Sequence, residues 1–250
     1  MRSTVDFTIL IKDRQMNIRL DKYLSDCMGI SRTDAKKLLS KGLVTVDGAV
    51  CKKGESKVAD TAVVEANGKK LEYKKFVYIM LNKPKGVVSA TDDKNDVTVA
   101  DLVSVDYPKR NLFPAGRLDK TSTGFVLLTD DGDFAHGILA PKKHVSKEYI
   151  VTLDSEINQD IITAFNSGVT LADGTLLKSA QLIPTEDSYV VKVVLNQGVY
   201  HQIKRMFGVF GIGVDELHRT NIGGVMLDEK LAPGEYRELT EAELEKIYRI

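Results

Sequence analysis

Four apolar runs beyond residue 75, "FVYIML", "GFVLLT", "EYIVTL" and "SYVVKVVL", constrain the fold more than any other feature. Each has strand length and is rich in β-branched or aromatic residues. Helical patterns do not alternate with them regularly. One helix is expected over about 134–140, ended by Pro141, and another over about 201–210, ended near Gly211. The closing "TEAELEKIYRI" begins with a capping box, Thr240 with Glu243, and presents Leu244, Ile247 and Tyr248 for packing. Strands that outnumber helices in this irregular order predict an α+β fold on a mostly antiparallel sheet, rather than a doubly wound one.

The first 75 residues have a different texture. "TVDFTILI" places Val5, Phe7, Ile9 and Ile11 at period two, which predicts a short strand. Leu20, Tyr23, Leu24 and Cys27 then mark one face of a helix stopped at Gly29. Ser31 is a good N-cap for a second helix, with Asp34 in its first turn, Ala35, Leu38 and Leu39 as its buried stripe and Gly42 at its stop. Arg32 and Lys36, like Lys37 and Lys41, are four apart, so the outer face is cationic. Hairpins are expected at Asp47-Gly48 and Asn67-Gly68. The polar, basic "NGKKLEYKK" marks a boundary near 70–76. The expected division is an extension over 1–17, a small domain over 18–70 and a larger one over 76–250.

Formal charge is zero, but residues 1–75 carry a net +6 and the remainder a net −6. Chance scatter and a polyanion-binding module both fit that asymmetry. Cys27 and Cys51 have no metal or redox spacing and read as free thiols in a reducing compartment. No apolar run has membrane-span length and no signal peptide is evident, so a soluble cytoplasmic protein is expected. His136, His144, His201 and His218 have no metal spacing. "DDGD" lacks the alternating ligands of a calcium loop and reads as a tight turn. "GVFGIG" is not a phosphate loop following a strand.

The tetrapeptide RLDK occurs twice. In the first copy Asp21 and Lys22 lie near a helix start and are expected to point outward. An acid there is stabilised by the helix dipole, so Asp21 reads as structural, with Arg19 and Lys22 available to phosphates. The second copy lies between "FPAG" and "TSTG", ahead of a buried strand. Asp119 therefore sits on a loop over a hydrophobic sheet. It can hydrogen-bond its own turn or be a reactive group on a rigid scaffold. The residues alone leave both open.

"AGRLDKTSTGFVLLTDDGDFAHGILAPKKHVSKEYIV", with "LNKPKGVVS", "YHQIKRMFGVFG", "ELHRTNIGGVMLD" and "LAPGEYRELT", resembles the pseudouridine synthases, in the RsuA branch that contains the small-ribosomal-subunit enzyme. Residues 18–65 resemble an S4 RNA-binding module. The resemblance implies isomerisation of uridine to pseudouridine in rRNA, with no cofactor and no metal. It places the catalytic aspartate on Asp119, its basic partner on Lys204 and the aromatic base platform on Tyr149, whose hydroxyl is expected to help remove the C5 proton. Such a carboxylate attacks C1′ or stabilises a ribose cation, and it must be ionised, so a cation is expected beside it. Arg117 is expected to fill the gap left by the everted base or to hold a flanking phosphate. Arg19, Arg32, Lys36, Lys37 and Lys41 on the S4-like module are expected at RNA, as are Lys83 and Lys85 in "NKPKG". Arg205, about 100° around the helix from Lys204, is expected at RNA or in a structural contact.

Departures from the branch pattern are Gln197, Gly198 and Val199 in place of an acidic-Gly-basic trio, Phe125 for Leu, Asp130 for Asn, and the extension over 1–17. "YHQIKRM" and "GEYRELT" resemble the small-subunit enzyme, so the expected partner is 16S rRNA, within a partly assembled small subunit, met by a monomer. Large-subunit rRNA and a catalytically silent RNA-binding protein are the alternatives. A glycoside hydrolase built on Asp119 and Asp131 is a third, though the chain has no Trp to serve as a sugar platform.

Overall fold

The structure is a computed structural model that describes residues 17–140 and 145–248. The strand expected at Val5–Ile11, the Pro141 stop and His144 lie outside these residues. The chain forms two compact units.

The first unit runs through Phe76 and also takes in Ser104–Asn111. It opens with β1 (Asn17–Arg19), α1 (Leu20–Met28) and α2 (Arg32–Ser40). There follow β2 (Val44–Val46), β3 (Ala49–Val50), β4 (Lys57–Ala59), β5 (Val64–Ala66) and β6 (Lys69–Leu71). Strand β1 pairs with β4, and the other four form an antiparallel sheet in the order β3-β2-β5-β6. Leu20, Tyr23 and Leu24 from α1 and Ala35 and Leu39 from α2 are buried together with Val44, Val58 and Val64. Each buried Leu contributes roughly 1.5–3 kcal/mol of hydrophobic stabilisation. Helix α1 ends on left-handed Gly29, and the Ser31 side chain caps α2 by accepting from the N–H of Asp34. Both hairpins turn where expected. Asp47-Gly48 and Asn67-Gly68 all have positive φ, the backbone that two-residue primed turns require.

The outward orientation expected for Asp21 is corrected. Its N–H donates to the Gly54 carbonyl at 2.9 Å, which packs the start of α1 on the 54–56 loop and buries the side chain. Arg19 neutralises it through Nε and Nη2 at 3.1 and 2.8 Å, and holds its carboxyl below the usual range.

The second unit, Val77–Val103 with the chain from Leu112 onward, carries a nine-stranded sheet. Its elements are β7 (Tyr78–Lys83), α3 (Val99–Val103), β8 (Phe113–Pro114), β9 (Thr123–Thr129), α4 (Gly132–Leu139), β10 (Lys147–Leu153) and α5 (Gln159–Ser167). After them come β11 (Gln181–Pro184), β12 (Val190–Leu195), α6 (Gln202–Gly208), β13 (Val214–Ile222), β14 (Val225–Met226), β15 (Tyr236–Glu238) and α7 (Glu241–Tyr248). The order is β11-β12-β10-β13-β9-β7-β15, with β14 on β13 and β8 on β9. The β9–β13 pairing is parallel and the other ladders are antiparallel. The four apolar runs became β7, β9, β10 and β12, and β9 is buried from Gly124 through Thr129.

The Thr240–Glu243 capping box forms as expected, with reciprocal bonds of 2.8 and 3.3 Å. "DDGD" starts a helix rather than making an isolated turn. Asp131 caps α4 through the N–H of Phe134 and accepts the Tyr78 hydroxyl at 2.6 Å. Burial and that acceptor raise the Tyr78 pKa. Helix α5, capped by Asn158, was not anticipated.

Candidate active site

Asp119 sits in a loop fixed by main-chain and buried side-chain contacts. Buried Ser89 donates to the Leu118 carbonyl at 2.8 Å and accepts from the Leu118 N–H at 3.0 Å. The N–H of Ser122 donates to the Asp119 carbonyl at 3.0 Å, closing the turn. The N–H of Gly86 donates to the Lys120 carbonyl at 2.8 Å. Lys120 itself reaches Asp96 at 2.6 Å.

Lys83 corrects an expectation. It lies at the end of β7, a strand buried at that point, and is 0% exposed. Its amine cannot meet a phosphate. It donates to the carbonyls of Ser122, Pro84 and Lys120 at 2.7, 3.1 and 3.4 Å. Burial pushes its pKa down to about 8, against an opposing pull from Asp119. The "NKPKG" segment therefore supports the Asp119 loop from beneath, while Lys85 remains exposed.

The Asp119 side chain is 28% accessible and meets two groups from the start of α6. Oδ2 lies 3.7 Å from Nζ of Lys204, and Oδ1 lies 3.2 Å from Nε2 of His201. Lys204 also donates to the Thr121 hydroxyl at 3.0 Å. His201, read from sequence only as a histidine without metal spacing, holds a left-handed backbone with φ 51°. A non-glycine residue there costs about 1–2 kcal/mol.

The second group missed from sequence is Arg219. It is 2% exposed in β13. Its Nε donates to the Phe125 carbonyl at 2.6 Å and an Nη reaches the Gly116 carbonyl at 3.5 Å. In register it lies between Tyr149 of β10 and Gly124 of β9. Its guanidinium lies 6.0 Å from the centre of the Tyr149 ring, within range of a cation–π contact. Tyr149 is 8% exposed. Lys147, two residues before it, is also buried. Burial and the Arg219 charge push its pKa down to about 8, and its amine rests on the Val145 carbonyl at 2.8 Å. Gly124 is obligatory: a Cβ would lie 2.3 Å from the Arg219 carbonyl oxygen.

Arg117 is exposed. Arg32, Lys36, Lys37 and Lys41 are exposed, with Lys37 paired to Asp34 at 2.9 Å. Lys22 is paired to Asp26 and Arg19 to Asp21. Arg205 is held by Asp173. Among the described residues no cluster of three or more His, Cys, Asp or Glu could hold a metal ion, and no helix is long and apolar enough to cross a membrane. Asp131, the second carboxylate of the hydrolase alternative, is buried and serves as the α4 cap and as acceptor of the Tyr78 hydroxyl.

Residues 77–208 match the RNA pseudouridylate synthase family model and residues 18–64 match the S4 domain model. The chain therefore belongs to the RNA pseudouridine synthases, enzymes that isomerise uridine within RNA, and carries an S4 RNA-binding domain. It is 44% identical to an uncharacterised RNA pseudouridine synthase of Bacillus subtilis, over 91% of this chain and 97% of that one. It is 40% identical to the ribosomal small subunit pseudouridine synthase A of Escherichia coli, over 92% of this chain and all of the other. A solved pseudouridylate synthase is 38% identical with a TM-score of 0.65, over 92% of this chain and 99% of that one.

Proposed function

We propose that the chain modifies one uridine of small-subunit (16S) rRNA, with residues 18–70 holding the RNA and residues 76–250 performing the reaction. The single observation that carries this reading is the Asp119 carboxylate: partly open to solvent, set on a clamped loop and faced by Lys204 at 3.7 Å. The full-length likeness to enzymes named for the small subunit supports the choice of substrate.

In this reading Asp119 acts ionised, either attacking C1′ or stabilising a ribose cation while the C1′–N1 bond breaks. Lys204 holds one carboxylate oxygen as a point charge. His201 holds the other, so the carboxylate has little freedom to rotate. The uridine must leave its stack at a cost of a few kcal/mol. Stacking on the Tyr149 ring returns about 1–3 kcal/mol. Arg219 fixes the strand that carries this ring beside the strand that follows the Asp119 loop. The base then turns, C5 bonds to C1′ as any Asp119–C1′ bond breaks, and the proton leaves C5 for solvent while N1 takes one up.

The test follows tritium released from C5 of uridine in transcripts of small-subunit and large-subunit rRNA, each naked and partly assembled with ribosomal proteins. Release from 16S transcripts alone is expected. Release from 23S transcripts alone overturns the substrate assignment, and no release from either overturns the activity.

A further inference from the structure

Tyr200 is 74% exposed, yet the chain around it is fixed. The N–H of Val199 donates to Oε1 of Gln202 at 3.1 Å, and the N–H of Gln202 donates back to the Val199 carbonyl at 3.1 Å. Gln202 is buried, so this closed turn is anchored in the body of the unit. Tyr200 projects from it. Its ring lies on the imidazole of His201, with centroids 3.8 Å apart and planes 17° from parallel. His201 is held in turn by its left-handed backbone and by its 3.2 Å contact with Asp119. A phenol ring is thus presented to solvent, in a set orientation, one ring away from the carboxylate.

Single exposed aromatics are common and need no explanation. Two features distinguish this one. The ring is already ordered, so a partner that stacks on it pays little of the usual cost of fixing a side chain. It also lies one ring from Asp119, within reach of a nucleotide that adjoins a uridine held at that carboxylate. Eversion of the uridine strips those neighbours of a stacking partner, and an aromatic face accepts any base in its place.

We propose that Tyr200, backed by His201, is the stacking platform for the nucleobase next to the target uridine. It makes the enzyme sensitive to the presence and stacking strength of that base, with purines favoured over pyrimidines. The proposal rests on the reading of Asp119 as the reactive carboxylate.

The test uses the full chain and an rRNA fragment that the wild-type enzyme modifies. Two further fragments carry an abasic ribose in place of the nucleotide 5′ or 3′ of the target. The wild type is expected to lose about 5- to 150-fold in kcat/KM on one abasic fragment, the range that removal of one base–aromatic stack covers. Tyr200→Phe should behave as the wild type. Tyr200→Ala should lose a similar factor on the intact fragment and little more on the abasic one. Independent, multiplying losses overturn the proposal. So does a Tyr200→Ala defect confined to assembled particles, which assigns the ring to a protein partner.

A second readout does not need turnover. With 2-aminopurine as the flanking base, binding to Asp119→Asn protein should quench its fluorescence. Adding Tyr200→Phe should keep the quench and adding Tyr200→Ala should abolish it. Equal quenching by both overturns the platform, whereas loss of tritium release by the wild type with the quench intact overturns only the proposed activity.

Discussion

The buried amine of Lys83 donates to the carbonyl oxygen of Ser122 at 2.7 Å, three residues past the Asp119 carboxylate. A cation is thus spent on main-chain oxygens under the loop. Its folded pKa, about 8, lies below its ordinary 10.5. Between these values the unfolded chain holds a proton that the folded chain has released, so stability rises with pH across that window and the burial penalty is fully present below it. Urea unfolding at pH 8 and pH 10.5 should show this gain in the wild type and a smaller one in Lys83→Met. An unchanged gain would remove Lys83 as its source.

Asp119→Asn keeps the size of the side chain and removes its charge. Turnover should fall below detection while RNA affinity stays within about threefold, because only transition-state stabilisation is lost. Single-turnover tritium release and filter binding measure the two separately.

The groups that face the carboxylate should be graded. Lys204→Met should lower single-turnover rate by about 10- to 150-fold, the equivalent of about 1.5–3 kcal/mol, with part of the loss recovered by Lys204→Arg. His201→Asn tolerates the left-handed backbone, removes the ring nitrogen and should slow the same step by a smaller factor. Unfolding curves matching the wild type would assign both losses to the site.

Neutralising Arg32, Lys36 and Lys37 together to Gln should weaken RNA binding and flatten its salt dependence. Each lost phosphate contact removes about 0.7–0.9 from the slope of log affinity against log salt. Lys37 already shares its charge with Asp34, so a total change of about 1–2 is expected. An unaltered slope would return this helix face to plain solvation.

Gly124→Ala should be severe. Its φ is +99° and the new methyl would overlap the Arg219 carbonyl, so a loss of about 3 kcal/mol or more is expected in urea unfolding. Wild-type stability in this variant would show that β9 and β13 can part without cost.

Local pattern carried the framework. β-branched runs set β7, β9, β10 and β12, Asn-Gly and Asp-Gly set the hairpins, and Ser31 and Thr240 set helix starts. The longest strand, β13, was missed because "VDELHRTNI" is too polar to read as an apolar run. Helix α5 escaped because its buried stripe is only Ile161 and Phe165. The proximity of Asp119 and Lys204 had no local signal at all and came only from the resemblance, since tertiary folding brings them together. Burial of Lys83, Lys147 and Arg219 was hidden for a related reason. Charged side chains read as surface until the sheet encloses them. Lys83 and Lys147 stood at the ends of apolar strand patterns, whereas Arg219 lies in the polar "VDELHRTNI" and had no such clue. His201 stood in plain view in "YHQIKRM", but a lone histidine before a helix does not announce a carboxylate partner.

The parallel ladder between β9 and β13, joining Thr123 to His218 and Gly124 to Arg219, has a consequence for biosynthesis. Most of the second unit must leave the ribosome before that seam can close. A nascent or truncated chain ending before β13 would carry the carboxylate and its amine but no seam to fix them. Such a fragment would be catalytically idle, and rejoining two separately expressed halves at this junction should switch activity on.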